Sequence, residues 1–191
     1  MRIRTLFLGV FLSLSAGQAF ADGAILKIIT PADKARLENY DATLKTALGE
    51  AKTGNPGDVA TLDAIMAKPK LGFSDFDMTG NWQCRTIKVG GNLPLVVYGW
   101  FKCRVTDDGS GWMLEKLTGS QRTKGRFYTE SDTRQTYLGS FFIAGETPKK
   151  YGSGPDSDQV GYTYRTGENE WRIELPAPRF ESKLDILEFR R

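Results

Sequence analysis

The chain has 191 residues, 40% of them hydrophobic, a formal net charge of +3 and no histidine. That length and apolar content suit one domain with a sizeable core, and the near-balanced charge calls for neither nucleic acid nor an anionic membrane surface as partner. The missing imidazole excludes Ser-His-Asp and Cys-His catalysis, histidine-ligated metals and histidine-based pH switches, leaving carboxylate, lysine or tyrosine chemistry.

The N-terminus follows secretory logic. Arg2 and Arg4 form a positive start, Leu6 to Leu14 an apolar run too short to span a bilayer, and Ala19-Phe20-Ala21 a small-residue cleavage site. Residues 1–21 therefore read as a signal peptide cut after Ala21, and the protein is expected in the periplasm. The cut leaves 170 residues and lowers the net charge to +1, because Arg2 and Arg4 are lost. No other apolar run is long enough to cross a membrane, so none is expected to hold the mature chain there.

Residues 22–69 read as a helical hairpin packed on the rest of the protein. Thr30-Pro31-Ala32-Asp33 is a helix start, with a hydroxyl cap, a proline in the first turn and an early acid. Leu37, Tyr40, Leu44, Leu48 and Ala51 follow at helical spacing. Gly54-Asn55-Pro56-Gly57 makes a turn. Asp58 can cap a second helix carrying Val59, Leu62, Ile65 and Met66, which Pro69 closes.

Residues 70–191 change pattern. Eight β-rich segments alternate with turn residues: 81–89, 95–105, 112–118, 123–129, 136–144, 159–165, 170–175 and 183–190. Strands at this spacing suggest a sandwich or barrel. The fold class expected is mainly β, an eight-stranded antiparallel up-and-down barrel preceded by an N-terminal α-helical hairpin.

Cys84 and Cys103 are the only cysteines. In an exported chain an even count favours a disulfide. Buried thiols and a redox pair are the alternatives, but redox pairs usually need closer spacing. Two cysteines without histidine make a poor zinc site. If the cysteines face each other across the first hairpin, Trp82 faces Val105 and Thr86 faces Phe101, all on one side. The other side is polar at Gln83, Arg85, Lys102 and Arg104, then apolar at Ile87, Val89, Tyr98 and Trp100. The helical hairpin is expected to cover that apolar patch. The bridge closes a loop worth on the order of 3 kcal/mol in the chain-entropy model.

Gly80-Asn81-Trp82 opens the first strand. A G-x-W at the head of an eight-strand run resembles the calycin-type barrels: lipocalins, fatty-acid-binding proteins and bacterial metalloprotease inhibitors. The resemblance covers residues 78–191. It implies that Gly80 and Trp82 form a structural plug at the closed barrel end, next to a basic residue of the last strand, Arg190 or Arg191. The whole chain, helices plus barrel behind a signal peptide, also resembles an uncharacterised family of alphaproteobacterial exported proteins, which brings no established activity.

Many aromatic residues lie in the barrel segments, among them Trp100, Phe101, Phe127, Tyr137 and Trp171. They either line an apolar pocket or fill the interior, and a filled or narrow interior is expected because rings occupy small barrels quickly. Asp75 and Asp77 could pair for metal or glycosidic chemistry but read as a solvated turn. Arg122, Lys124 and Arg126 alternate along one strand and read as a solvated face. The long Gly/Pro-rich loop 145–158, with Lys149, Lys150 and Tyr151 at its tip, is the first place to look for binding.

These readings converge on a non-enzymatic monomer that binds a small apolar ligand or a partner protein, with no cofactor and no metal. A periplasmic protease inhibitor is the alternative, and a carboxylate-based enzyme ranks third.

Overall fold

A computed structural model describes residues 25–191. The expected signal peptide, residues 1–21, lies outside them. Helices come first: α1 (Pro31–Glu38), α2 (Tyr40–Ala51) and α3 (Pro56–Met66). Nine strands follow: β1 (Gly80–Val89), β2 (Leu95–Val97), β3 (Phe101–Asp107), β4 (Trp112–Lys116), β5 (Gln121–Ser131), β6 (Arg134–Ile143), β7 (Asp158–Gly167), β8 (Glu170–Pro176) and β9 (Leu184–Arg190).

The helices begin where capping chemistry allows. Thr30 Oγ1 accepts the Asp33 amide at 3.2 Å, with Pro31 in the first turn. The first long helix breaks at Asn39, which serves as C-cap of α1 and N-cap of α2. The break lets one amphipathic run follow a curved wall: α1 touches β7, whereas α2 touches β1, β8 and β9. Asn55, rather than the expected Asp58, caps α3, and its side chain accepts the Gly57 amide.

β1 pairs antiparallel with β3, each strand from β3 to β8 pairs antiparallel with the next, and β9 returns to pair with β1 from Gln83↔Arg190 to Val89↔Leu184. That pairing closes an eight-stranded barrel of β1 and β3–β9. The short β2 hydrogen-bonds beside the far half of β1.

Cys84 and Cys103 are joined, with Cα atoms 5.9 Å apart. Their register differs from the expectation by two residues. Trp82 faces Cys103, Cys84 faces Phe101 and Gly80 faces Val105, so the bridge runs diagonally. A shift of two keeps the same side chains inward, which is why the alternation looked consistent in either register. The expected strand 95–105 is also split. Ile87 faces Val97 in one half and Cys84 faces Phe101 in the other, so the returning chain carries one extra residue between them. Such a bulge reverses which side chains face out.

The bulge decides what the helices cover. Ile87, Val89, Leu95, Leu184 and Ile186 on the outer wall pack with Ala47, Ala51, Leu62 and Ile65 in one apolar cluster. Trp100 is not among them. It lies under the Arg85 and Arg190 guanidiniums, at 4.6 and 3.9 Å from its ring centre. Full burial of Leu62 and Ile65 contributes about 1.5–3 kcal/mol each.

A buried polar group fastens the same interface. Arg172 Nε donates to Glu174 Oε1 at 2.6 Å, and both side chains are almost fully buried. Arg172 Nη1 also donates to the Ile65 carbonyl at 3.1 Å near the end of α3. Tyr40 Oη, from the start of α2, donates to Glu174 Oε2. Each buried charge is matched, so the cluster fixes how α2 and α3 sit on β8. Glu174→Ala would strand Arg172 without a partner. Urea unfolding should show a loss of about 3–5 kcal/mol, against less than about 0.5 kcal/mol for Ile143→Ser at an exposed position.

Candidate functional site: the polar mouth of the barrel

The two ends of the barrel interior differ in chemistry. At the end where β1 begins, aromatic rings fill the space. Trp171 stacks on Phe189 with ring centres 3.6 Å apart, and the edges of Trp82 and Phe127 meet Trp171 at 5.7 and 5.6 Å. Phe76 and Met78, from the segment before β1, complete this core. Trp82 Nε1 donates to the Met78 carbonyl at 2.8 Å. Gly80 holds φ of +117°, which turns the chain from that segment into β1 without strain.

The basic residue against Trp82 is Arg191, not Arg190. Its guanidinium lies 4.2 Å from the Trp82 ring centre and donates to the carbonyls of Thr79 and Asp77. Arg190 faces the opposite way, donating to Gln83 and stacking on Trp100. Successive residues of a strand alternate sides, so the sequence left the choice between the two open.

Halfway along, Tyr137 lies across the interior. Gly139 and Gly125 make room for it: a Cβ on Gly139 would come 2.2 Å from the Tyr137 hydroxyl. That hydroxyl is 2.6 Å from Thr123 Oγ1, and Thr123 donates to Gln159 Oε1 at 2.5 Å. This chain is the floor of an open cleft. Above it, inward positions turn polar: Thr86 and Lys88 of β1, Lys116 of β4, Gln121 of β5 and Asp185 of β9. Phe141 and Phe180 meet at the rim, 5.6 Å apart.

Lys88 and Asp185 are direct partners in the β1–β9 register. Lys88 Nζ lies 2.9 Å from Glu181 and 3.8 Å from Asp185. Burial pushes its ammonium down, but the pull of Asp185 and Glu181 outweighs burial and leaves it above the ordinary lysine value. Burial pushes the Asp185 carboxyl up, against the attraction of Lys88. Lys116 differs from both. It is only 6% exposed, yet among the described residues the sole hydrogen bond of its ammonium is to Thr86 Oγ1 at 3.2 Å. Its ammonium sits 4.4 Å from the Phe101 ring centre. Burial pulls it down to about 8.

The cavities at this end are small and contiguous, about 40, 90 and 230 Å³, and all three share Lys88. A fatty acid would need a deeper apolar pocket, and here the rings occupy that depth. Thus the interior is filled at one end and open and polar at the other.

The other candidates of the sequence fall elsewhere. Lys149 and Lys150 are exposed and lie away from the cleft lining. Tyr151 is engaged: its hydroxyl donates to Asp33 Oδ2 at 2.7 Å and accepts the Thr30 amide at 3.1 Å. The loop therefore pins the start of α1, and its far end is held by Asp158, which accepts the amides of Gly152, Ser153 and Gly154. Lys124 pairs with Glu115 and Arg126 with Asp108, whereas Arg122 borders the cleft. Asp77 accepts from Thr79 in a turn, and no group of three metal-ligating residues occurs among the described residues. Sequence reading missed Lys116 because one lysine in a strand carries no signal until the barrel closes around it.

Keeping a charged lysine buried costs stability. Its folded value lies below the ordinary one, so between about pH 8 and the unfolded value of about 10.4 the unfolded chain binds more protons, and stability rises with pH. Lys116→Met removes this cost. Thermal unfolding should show the variant about 3 kcal/mol more stable at pH 7, with the gain disappearing above about pH 10.

No curated protein and no solved structure matches this chain. A family model described as a domain of unknown function matches residues 26–189, from the segment before α1 into β9. With helices and barrel both inside that match, the chain belongs to the DUF4893 family.

Proposed function

We propose that this protein is a non-enzymatic, exported binding protein of the periplasm that holds a small polar molecule in the mouth of a calycin-like barrel. The observation that carries this reading is the asymmetry of the interior, packed with rings at one end and lined by Lys88, Lys116, Gln121 and Asp185 at the other. A barrel stabilised only for itself gains nothing from burying Lys116 without a carboxylate. The polar lining replaces the apolar ligand expected from the sequence.

Export is supported by the joined cysteines, since such bonds persist in oxidising compartments. Among the described residues, no helix is long and apolar enough to cross a membrane. A monomer fits this reading, because the cleft is built from one chain. The inhibitor alternative gains no support, since the segment before the barrel is packed as three helices on the outer wall instead of offering a free strand.

Protein purified from its own periplasm and sprayed under native conditions should carry a bound mass of a few hundred daltons or less. That mass should be absent after unfolding and refolding. A preparation that is ligand-free from the start, and in which no small polar metabolite shifts the amide resonances of Thr86, Gln121 or Asp185, would sink the reading.

A further inference from the structure

The charges of the cleft balance in number but not in pairing, and two of its cations have no carboxylate partner among the described residues. Arg179 is paired with Asp156 at 2.7 Å. Lys88 is paired with Glu181 and Asp185. The Asp158 carboxylate is occupied by three backbone amides. Arg122 donates to the Gly119 carbonyl and has no carboxylate within ion-pair distance among the described residues. Lys116 likewise has none, and it is the more deeply buried of the two. Lys116 lines both the cavity of about 40 Å³ and its neighbour of about 90 Å³. An ammonium with three donors and a single hydroxyl partner has donors left over.

We infer that Lys116, with Thr86 beside it and Arg122 at the rim, is the binding point for a small oxyanion, the carboxylate or phosphoryl group of the ligand held in the mouth. This rests on the proposed binding role and adds the chemistry of the group recognised. A charged donor inside a low-dielectric cleft makes a stronger hydrogen bond to an anion than it makes in water. The cavity next to the Lys116 ammonium, about 40 Å³, admits the head of such a group and not a bulky body. The rest of the ligand would then extend toward the wider space by Asn92, Leu93 and Tyr98. The buried Asp185 and the Lys88 ammonium face the same space. Asp185 sets the polarity of the site, because an anion is accepted on the Lys116 side and repelled on the other.

The pH dependence follows from the same geometry. Lys116 attracts an anion only while protonated, and its value of about 8 places that loss in an accessible range. The neighbours that face it, Asp185, Lys88 and Arg122, hold opposing effects on it. Butyrate keeps one charge throughout, so any weakening with pH comes from the protein.

The test uses full mature protein carrying 13C-labelled lysine, with the Lys116 signal assigned by its loss in Lys116→Met. Butyrate, inorganic phosphate and the neutral butyramide are titrated separately. We expect a saturable shift of the Lys116 Cε signal with at least one of the two anions and none with butyramide. Saturation by butyrate alone assigns a carboxylate, and by phosphate alone a phosphoryl group. Butyrate affinity, followed on the Gln121 amide, should fall about tenfold between pH 7 and pH 9 as the protonated fraction falls. It should fall at least tenfold in Lys116→Met. Lack of response to both anions, equal response to butyramide, or unchanged affinity in the variant overturns the inference. A neutral molecule found in the native mass spectrum would do so too, while leaving the binding role standing. The wild-type pH series keeps the test decisive if the variant folds poorly.

Discussion

The pairing of β9 with β1 is the constraint on which the rest of the structure depends. Seven consecutive register pairs, from Gln83↔Arg190 to Val89↔Leu184, turn an open sheet into a barrel and so create an inside. Along this seam one set of side chains points inward, with Trp171 stacked on Phe189 near the closed end and Lys88 opposite Asp185 at the open end. The alternate set points outward, and Ile87, Val89, Leu184 and Ile186 form the apolar strip that holds α2 and α3. A wall buried on both faces reads as a near-continuous hydrophobic run. In β8 and β9 that burial extends even to Arg172, Glu174 and Glu188, because helices cover what would otherwise be solvent.

That double burial explains why charges sit where they do. Arg172 and Glu174 are deep, but each has a matched partner, and Tyr40 and the Ile65 carbonyl complete them. Such a cluster adds directional bonds to an interface that apolar contacts alone would leave free to slide. Lys68 and Arg85 similarly share Glu188. Lys116 breaks the pattern as a buried cation facing a cavity instead of a counterion. Perturbed groups of this kind cluster at functional sites, and the contrast with the satisfied cluster on the outer wall is what singles it out.

The helices and the long loop form a second level of organisation around the mouth. Tyr151 reaches from the loop to Asp33 and Thr30, and Arg36 donates to the carbonyls of Pro176 and Asp158. Glu50 of α2 accepts from Lys183 and from the Gly91 amide. The segments that frame the open end are thus tied to α1 and α2. A loop that looked available for binding is structural at its tip, because a tyrosine that can be buried against a helix start loses less by ordering than by remaining in water.

Much of the fold was legible in the residues. The helix start at Thr30-Pro31, the eight β-rich segments, the joining of Cys84 to Cys103 and the place of Trp82 at the head of β1 follow from local chemistry and alternation, and these act within a few residues of chain. What the sequence left open is what depends on distant chain. Two registers of the first hairpin put the same side chains inside, so only the full set of pairings chose between them. The bulge at Tyr98–Trp100 reversed the faces of β2, so that Leu95 and Val97 meet the helices, while Trp100 stays on the outer face beside Arg85 and Arg190. Alternation could not separate Arg190 from Arg191 against Trp82. Above all, the sequence determined that a barrel would form with many rings to fill it. The tertiary structure decided that the rings fill one end only, and that Lys116 is left facing the opening at the other, because enclosure is a property of the closed sheet and not of any strand in it.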